Sequence, residues 1–224
     1  MIKNISNLGD AALYCDFGQD VNKETNYLVI KYFKTLKNKR IEGINNLIPS
    51  YNKLIVSYDL NRINFKKVKK IVEEITIDQK EELSSKKIEI PICCAENFSL
   101  DIKRLEKKLN LNKEEILNNF FGKEYFCYMT GFIAGMPFLG DLDYKLRAKR
   151  LETPRVKVPK GSVGLTEQFA NIYTFESPGG WNIIGNSPIN IFDSSKEKEP
   201  NLINPGDTVI FKEISIDQHK NYDE

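Results

Sequence analysis

Residues 158–185 read VPKGSVGLTEQFANIYTFESPGGWNIIG, and this stretch decides the fold of the second half of the chain. Short, mostly apolar runs alternate in it with turns that contain glycine or proline. Such runs are typical of β-strands, and we predict strands at residues 162–165, 171–175 and 181–184. A series of short strands joined by turns indicates a β-barrel or a β-sandwich.

The same pattern continues on both sides of this stretch, where we predict strands at residues 125–130, 189–192 and 208–214. Ten of the 13 glycines and seven of the nine prolines lie after residue 121. Because both residues are avoided in helix interiors, the second half is expected to consist mainly of strands and turns, and the first half to contain helices.

The pattern of the first half predicts a small sheet covered by two helices. Apolar residues recur every three or four positions in residues 22–40 and again after Asn64, and Asn22 and Asn64 can each cap a helix. The order strand, helix, strand, strand, helix indicates an α+β unit. Its strands are predicted at residues 11–17, 41–48 and 54–58.

A polar run, DQKEELSSKK at residues 78–87, separates the two halves and is interpreted as a linker. After it we predict a strand at residues 87–93 and two short helices, with Ser99 and Asn112 as their N-caps. Two tandem helices also suggest a helix-turn-helix. Acidic neighbours offset their basic residues, however, so a solvated face is the simpler interpretation. We therefore divide the chain at residues 1–84, 85–216 and 217–224, the last being a polar tail.

Charge and histidine content exclude several classes of protein. The 224 residues include 33 Lys and Arg and 31 Asp and Glu, which gives a formal net charge of +2. Nucleic-acid binding draws on concentrated positive charge, so no nucleic-acid partner is expected. The single histidine, His219, lies near the C-terminus, so neither a His-ligated zinc nor a Ser-His or Cys-His catalytic pair is expected.

The cysteines and the hydropathy pattern predict a soluble, cytoplasmic protein. Cys15, Cys93, Cys94 and Cys127 have no C-x-x-C spacing and lie in apolar contexts, which is typical of buried, reduced thiols. No secretory segment follows Met1, and no apolar run approaches the roughly 20 residues that span a bilayer. We expect no membrane partner and no metal site.

Common nucleotide-binding motifs are missing, since the sequence contains neither a P-loop nor a G-x-G-x-x-G between a strand and a helix. A self-sufficient P-loop ATPase or Rossmann dehydrogenase is therefore not expected. The second half instead contains four loop motifs: GFIAGMPFLG at residues 131–140, TPRVKVPKGSVG at 153–164, ESPGGWNIIGNSP at 176–188 and NPGDTVIF at 204–211.

This series of motifs resembles the 5-oxoprolinase B-subunit family, which is also described as allophanate hydrolase subunit 1 and includes the sporulation kinase inhibitor KipI. Two N-terminal elements resemble the family as well, GDAAL at residues 9–13 and IPSYNKL at residues 48–54. The resemblance extends from residue 7 to residue 213. Several motifs in the right order make it far more specific than any single loop.

The resemblance implies a small α+β domain followed by a cyclophilin-like, mostly antiparallel β-barrel of the carboxyltransferase type. It also implies one component of an ATP-dependent 5-oxoprolinase, which opens 5-oxo-L-proline to L-glutamate with hydrolysis of ATP. The implied partners are the 5-oxoprolinase C-subunit, which resembles allophanate hydrolase subunit 2, and the A-subunit, which is of the LamB/YcsF type. An ATP site shared with a partner would explain the missing nucleotide motifs and an inactive isolated chain.

The loop motifs also supply the candidate site residues. ATP is expected to phosphorylate the lactam oxygen, where preorganised donors would stabilise the developing negative charge. The guanidinium of Arg155 suits a carboxylate or phosphate, and Gln168 and Glu176 can orient an amide, so these three are the catalytic candidates. The candidates for substrate or nucleotide binding are Met136, Phe138, Ser162, Gly179, Gly180 and Trp181.

Each candidate residue also has a purely structural alternative. Arg155 can form a salt bridge, Gln168 and Glu176 can form loop hydrogen bonds, and the glycines can simply allow tight turns. Trp181 can wall a pocket or close the barrel, and Met136 and Phe138 can line a pocket or face a partner. The sequence leaves these alternatives open.

The chain departs from the family pattern in three places. Ala134 and Met136 replace part of the usual Pro-Gly-Phe-Pro loop, Ala95 and Glu96 replace a common Gly-Gly, and Phe120 stands where a helix-end histidine is common. A changed partner interface or ligand preference therefore stays open. So do two other functions, a KipI-like inhibitor of a sensor histidine kinase and a component of a urea or allophanate pathway.

Overall fold

A computed structural model of the protein describes residues 1–77 and 85–222. The chain divides into two compact units, Met1–Ser84 and Ser85–Glu224. Most of the predicted linker, residues 78–84, lies outside the described residues.

The N-terminal unit contains four strands, β1 (Asn4–Asn7), β2 (Ala12–Asp16), β3 (Ile44–Ser50) and β4 (Lys53–Tyr58). They form an antiparallel sheet with the order β1-β2-β4-β3. The three predicted strands are confirmed, with small shifts at their ends. The sequence pattern did not predict β1, because NISN is polar and joins the sheet through backbone pairing with β2.

Two helices pack against this sheet. α1 (Lys23–Lys39) and α2 (Phe65–Glu74) begin where predicted, because the Asn22 and Asn64 side chains accept hydrogen bonds from the backbone N–H groups of Thr25 and Lys67. Alternate residues of the strands and the apolar stripe of α2 share one core. Its fully buried centre includes Leu13, Leu54, Val56, Val68 and Val72.

The C-terminal unit is built on a seven-stranded sheet. Its strands are β5 (Lys87–Ile92), β6 (Glu124–Thr130), β7 (Pro137–Gly140), β9 (Ser162–Thr166), β10 (Phe169–Ile172), β12 (Asn182–Asn186) and β13 (Thr208–Glu213). Their order is β12-β9-β10-β7-β6-β13-β5, and only β13 and β5 pair in parallel. A separate antiparallel pair is formed by β8 (Arg155–Val158) and β11 (Ser177–Gly179).

The sheet curls until its two edge strands meet. Cys93 and Asn186 exchange two backbone hydrogen bonds of 2.9 and 3.0 Å. Beside them, Asp101 N donates to Ile183 O at 2.9 Å, and Ile183 N donates to the Asp101 carboxylate at 2.7 Å. The fold class predicted from the sequence is thus confirmed, since the protein is α+β and its second unit contains a curled, mostly antiparallel half-barrel.

One face of this sheet packs on α3 (Ile102–Leu109) and α4 (Lys113–Phe121) and forms the main core. We call it the inner face. In β9 and β10 it is defined by alternate residues that are all fully buried: Val163, Leu165, Ala170 and Ile172. Asn112 caps α4 and forms a capping box with Glu115, as predicted.

The predicted N-cap Ser99 is wrong. Its hydroxyl donates to the carbonyl oxygens of Cys94 and Ala95, and α3 begins after Asp101 instead. The Asp101 side chain makes no cap hydrogen bond, because its carboxylate binds elsewhere.

The strand predicted at residues 189–192 is also wrong. Ile191 is buried in the main core, but Phe192 makes only one isolated bridge, with Asn201. Burial alone therefore accounts for this apolar run. The strand predicted at residues 171–175 is displaced, since β10 begins earlier, at Phe169, and ends at Ile172.

Residues 217–220 of the predicted polar tail belong to a short helix, α5 (Ile216–Lys220), which begins after Ser215 with a capping box to Gln218. His219 Nε2 lies 2.9 Å from Asn186 Oδ1, and the His219 ring lies 4.4 Å from the Phe98 ring, centroid to centroid. The only histidine is thus packed beside the point where the sheet closes.

Candidate functional site

Four residues form a row across the face of the sheet opposite the main core, which we call the outer face. Phe138 of β7 is paired with Asn171 of β10, Asn171 with Gly164 of β9, and Gly164 with Ile183 of β12. Directly paired residues on neighbouring strands share a face. We call these four residues the outer row.

The centre of the outer row is a buried amide. Asn171 is 0% exposed, and its Nδ2 lies 3.9 Å from Met136 Sδ. Within residues 1–77 and 85–222, no atom forms a hydrogen bond with its Oδ1. A Cβ at residue 164 would lie 2.8 Å from this oxygen, so Gly164 provides the space it occupies. Because an unpaired buried polar atom costs about 1–3 kcal/mol, the outer row is a candidate binding site.

Tyr173 follows β10 and lies beneath the turn that leads to Trp181. A Cβ at Gly179 would collide with Tyr173 Oη, so this turn approaches the hydroxyl closely only because residue 179 is glycine. Burial raises the pKa of Tyr173, while hydrogen bonds from the Asn171 side chain and the Trp181 backbone N–H act in the opposite direction. The net shift is upward, so Tyr173 is a neutral hydroxyl near neutral pH.

Two aromatic rings close this face. The Trp181 ring packs edge-to-face on Phe138 with 5.6 Å between centroids, and Trp181 is 5% exposed. The Arg150 guanidinium lies 5.7 Å from the Trp181 ring centroid. Trp181 therefore separates the buried outer row from a cationic surface.

Arg155 forms the salt bridge that the sequence left open. Its Nη2 lies 2.6 Å from Oδ1 of Asp101, whose side chain is 4% exposed, and the other Asp101 oxygen binds Ile183 N. The Arg155 side chain is 27% exposed, and its buried Nη1 has no hydrogen-bond partner in the described part of the chain. The predicted contact of Arg155 with a ligand stays a prediction.

The structure brings several of the predicted binding residues together. Gly179 and Trp181 lie on the outer face with Phe138, and Met136 packs in a small cluster with Val158, Tyr173 and Ile183. Ser162 is buried in β9, and strand alternation places it on the same face as Gly164. Their roles in binding stay predictions.

Three predicted residues lie outside this group. Gln168 is half-buried in the turn between β9 and β10, where its backbone oxygen accepts a hydrogen bond from Leu142 N. The exposed Glu176 pairs with Lys157 at 2.8 Å. Gly180 O accepts a hydrogen bond from Leu151 N at 2.7 Å. Their predicted roles in catalysis or binding stay predictions.

Asn171, Tyr173 and Asp101 were not among the candidate site residues. A signal for Asn171 was present, because an amide interrupts the apolar strand FANI. The position of Asp101 gave no comparable signal, since its contact with Arg155 joins residues far apart in the chain.

The structure shows the surroundings of one residue from each of the three departures from the family pattern. Phe120 is fully buried, and its ring stacks on Phe211 with 4.9 Å between centroids, so an apolar ring fills the place where a histidine is common. Met136 is buried against Asn171. Glu96 is exposed and pairs with Lys103.

The cysteines are buried, free thiols. Burial raises the pKa of Cys15 and Cys94 to about 12, and that of Cys127 still further, so these three are protonated at neutral pH. No group of three or more potential metal-binding His, Cys, Asp or Glu side chains occurs among the described residues. None of the helices in that part of the chain is both long and apolar enough to cross a membrane.

Comparison with known proteins identifies the family. A family profile described as "Carboxyltransferase domain, subdomain C and D" matches residues 3–203. The 5-oxoprolinase B-subunit of Bacillus subtilis (strain 168) is 32% identical over 232 residues, which cover 98% of this chain and 96% of that protein. The 5-oxoprolinase B-subunit of Haemophilus influenzae is 30% identical over 209 residues, 93% of this chain and 96% of that protein. Urea amidolyase of Saccharomyces cerevisiae is 20% identical over 92% of this chain and 13% of its own length.

Solved structures share the fold. The crystal structure of TTHA0988 matches 91% of this chain with a TM-score of 0.82 and 28% identity, and this chain spans 40% of that one. The urea amidolyase of K. lactis matches 96% of this chain and 15% of its own, with a TM-score of 0.81 and 18% identity, a likeness of fold. The chain therefore belongs to the 5-oxoprolinase B-subunit family, also described as allophanate hydrolase subunit 1.

Proposed function

We propose that this chain is the B-subunit of an ATP-dependent 5-oxoprolinase, which opens 5-oxo-L-proline to L-glutamate with hydrolysis of ATP. One observation carries the proposal: the match to the B. subtilis B-subunit extends over 98% of this chain and 96% of that protein. The proposal includes a cytoplasmic location, the 5-oxoprolinase C- and A-subunits as partners, and an ATP site completed by a partner. Fold alone would not support this assignment, because one fold serves many functions.

The outer row supports a cyclic amide as the ligand. A lactam presents its N–H and its C=O on one edge, and a primary amide such as that of Asn171 offers an acceptor and a donor in the matching arrangement. Asn171 Oδ1 is the atom that has no partner among the described residues. In the proposal this oxygen accepts the lactam N–H, and Phe138 and Trp181 pack on the ring. Met136 and Trp181 must move to admit it, because both are buried.

Reconstitution tests the proposed activity. The chain is coexpressed with the C- and A-subunits, and the formation of ADP and glutamate is measured with and without 5-oxoproline. We expect ATP hydrolysis that depends on 5-oxoproline and yields glutamate. A folded, assembled complex that shows no such dependence would contradict the proposal.

Replacing Asn171 tests the lactam contact. Asn171→Leu keeps the branched shape and removes both polar atoms, so 5-oxoproline-dependent kcat/KM should fall roughly ten- to a hundredfold, as expected for a lost buried hydrogen bond. Assembly and thermal stability should change little. Asn118→Leu, at an exposed position of α4, is the control and should keep full activity. Full activity in Asn171→Leu would exclude the contact.

An exposed aromatic residue supports contact with a partner protein. Phe132 is 73% exposed and has a φ of 70°, a backbone conformation that is unfavourable for a bulky residue. We propose that the C-subunit covers this loop. Phe132→Ser should then weaken its binding to the chain at least about tenfold, as for an aromatic hot spot. Lys145→Ser, at another exposed position of this unit, is the control. Equal binding by both variants would contradict the proposed contact.

The similarity to urea amidolyase supports a second candidate function, in which the chain is a component of a urea or allophanate pathway. Urea and allophanate added to the same assay distinguish it from the first, because stimulation by either in place of 5-oxoproline would favour the second. Inhibition of a sensor histidine kinase stays a prediction from the sequence.

A further inference from the structure

A cavity of about 240 Å³ lies in the C-terminal unit between α3 and residues 147–152, and its lining does not include Asn171. Its charged lining consists of five cations and one acid: Arg104, Lys108, Arg147, Lys149, Arg150 and Glu152. Three of the six arginines in the chain are among them. This concentration of charge is local, because the formal net charge of the whole chain is only +2.

The five cations have no acidic partner within 4.0 Å in the described residues. Elsewhere in the same unit, lysines pair with acids, as Lys87 does with Glu124 at 2.6 Å and Lys157 with Glu176 at 2.8 Å. Like charges that converge without counter-ions repel one another and destabilise the folded state. An anionic ligand would relieve this repulsion.

The backbone of residues 147–152 is fixed to the half-barrel. Ala148 O accepts hydrogen bonds from Glu167 N at 2.9 Å and from Thr166 Oγ1 at 3.1 Å. Leu151 N donates to Gly180 O at 2.7 Å. The intervening Lys149 and Arg150 are exposed and therefore project from an anchored segment rather than from a free loop.

A buried amide connects the two sides of the cavity. Asn182 is 0% exposed, its Oδ1 accepts a hydrogen bond from Arg104 of α3, and its Nδ2 donates to Lys149 O at 3.2 Å. The same Nδ2 donates to Leu165 O at 3.0 Å. Arg150 is oriented by the Trp181 ring, 5.7 Å away. At least two of the guanidinium groups are therefore held in place before a ligand arrives.

The dipole of α3 explains only part of this charge. Lys107 and Lys108 lie in its last turn, where a cation stabilises the partial negative charge of the helix end. That effect does not involve Arg147, Lys149 or Arg150, which lie outside the helix. The convergence of both segments on one cavity needs a separate explanation.

From these contacts we infer that the cavity binds the polyphosphate group of a nucleotide, and, since this rests on the proposed function, that the nucleotide is ATP. A triphosphate carries about four negative charges near neutral pH, because each phosphate contributes one to two. The five cations exceed the single acid by the same number. Guanidinium forks and lysine ammonium groups are the side chains that bind phosphate oxygens best. Trp181 would couple the two sites, because it packs on both Arg150 and Phe138.

Calorimetric titration of the full chain with inorganic tripolyphosphate tests the site without any partner protein. We expect saturable binding to one site that weakens as salt is added. Lys108→Glu and Lys149→Glu should each weaken it about tenfold, because a cation near the phosphates is replaced by an anion. Both residues are exposed, so both variants should fold, which thermal unfolding verifies.

Lys107→Glu is the matched control. It changes the charge equally, on the same helix and one residue away, but Lys107 does not line the cavity. Its effect should stay below about twofold. Glu152→Gln should act in the opposite direction and strengthen binding about two- to fivefold, the range of an exposed charge interaction.

The inference is overturned if the wild-type chain shows no saturable binding of tripolyphosphate. It is also overturned if Lys107→Glu and Lys108→Glu weaken this binding equally. It is also overturned if Lys108→Glu abolishes association with a partner protein and leaves tripolyphosphate binding intact, since the cavity would then bind an acidic segment of that protein. Failure of the proposed function looks different. The complex would lack 5-oxoproline-dependent ATP hydrolysis, while tripolyphosphate binding and its sensitivity to Lys108→Glu would persist.

Discussion

On the inner face of the seven-stranded sheet, β9 and β10 contribute four fully buried apolar side chains, whereas on the outer face the same two strands contribute a glycine and an amide with an unpaired oxygen. At these two strands both faces are excluded from water, yet only on the inner face are their side chains all apolar. The inner face therefore specifies the fold through volume and burial. The outer face tolerates an atom that weakens the fold, which is typical of binding sites.

The largest effect should come from the inner face. Leu165→Ala removes a fully buried side chain from the main core and should lower the free energy of unfolding by about 2–5 kcal/mol. Urea denaturation measures it. The Asn171→Leu variant, on the neighbouring strand but the other face, should lose less than about 1.5 kcal/mol, because its shape is kept and an unpaired oxygen is removed. Equal losses of unfolding free energy in Leu165→Ala and Asn171→Leu would contradict the difference between the two faces.

Gly164→Ala should have the next largest effect, because it fills the space beside Asn171. The new Cβ would lie 2.8 Å from Asn171 Oδ1 and 3.0 Å from Trp181 Cβ, and overpacking of this kind costs about 1–3 kcal/mol. Gly180→Ala is the control, since its nearest atoms are 3.6 Å away. Thermal unfolding of both variants measures the difference. An unchanged Gly164→Ala protein would mean that the outer row is loosely packed.

Arg155→Ala should cost about 1–2 kcal/mol, the lower range for a hydrogen bond to a charged group, because the partly exposed guanidinium is screened by solvent. The loss arises because the Asp101 carboxylate keeps only Ile183 N as a partner. Lys157→Ala, at an exposed pair on the same strand, should cause no measurable change. Arg155→Lys separates the salt bridge with Asp101 from a contact with a ligand. If this variant recovers the stability lost in Arg155→Ala but not the activity, Nη1 binds a ligand.

The smallest effect concerns pH and the packed histidine. Burial lowers the pKa of His219, so protonation is easier in the unfolded chain. The free energy of unfolding should be independent of this group above about pH 6.5, the ordinary value, and should fall as the pH drops from there through the folded-state pKa. His219→Gln should remove that decrease. Denaturation curves measured at pH 7.5 and at pH 5 give the free energy of unfolding. A decrease of the same size between these pH values in the wild-type protein and in His219→Gln would contradict the prediction.

The sequence pattern predicted the elements whose apolar residues are periodic, such as α1 and α2, and missed those formed mainly by backbone pairing. β8 and β11 contain the exposed Val156 and a proline, and they lack the alternation that predicts a strand. Residues 189–192 misled the prediction, because an apolar run satisfied by burial alone looks the same as a strand.

The candidate site was predicted only in part for a related physical reason. The loop motifs include Phe138 and Trp181, which do meet on the outer face. Asn171 and Gly164 belong to one site because they are paired across neighbouring strands, and the linear sequence does not reveal this pairing. Contacts between distant residues, such as Asp101 with Arg155, depend on the curl of the whole sheet.

The contacts at the ends of the sheet have a consequence for folding and solubility. An uncovered edge strand offers free N–H and C=O groups to another chain and is a site of aggregation. Here Cys93 forms backbone hydrogen bonds with Asn186 of β12, and Asp101 forms hydrogen bonds with the backbone of Ile183 in the same strand. Because these pairs join residues far apart in the sequence, they are expected to form late in folding. A newly made chain therefore exposes this edge until the contacts with Cys93 and Asp101 have formed.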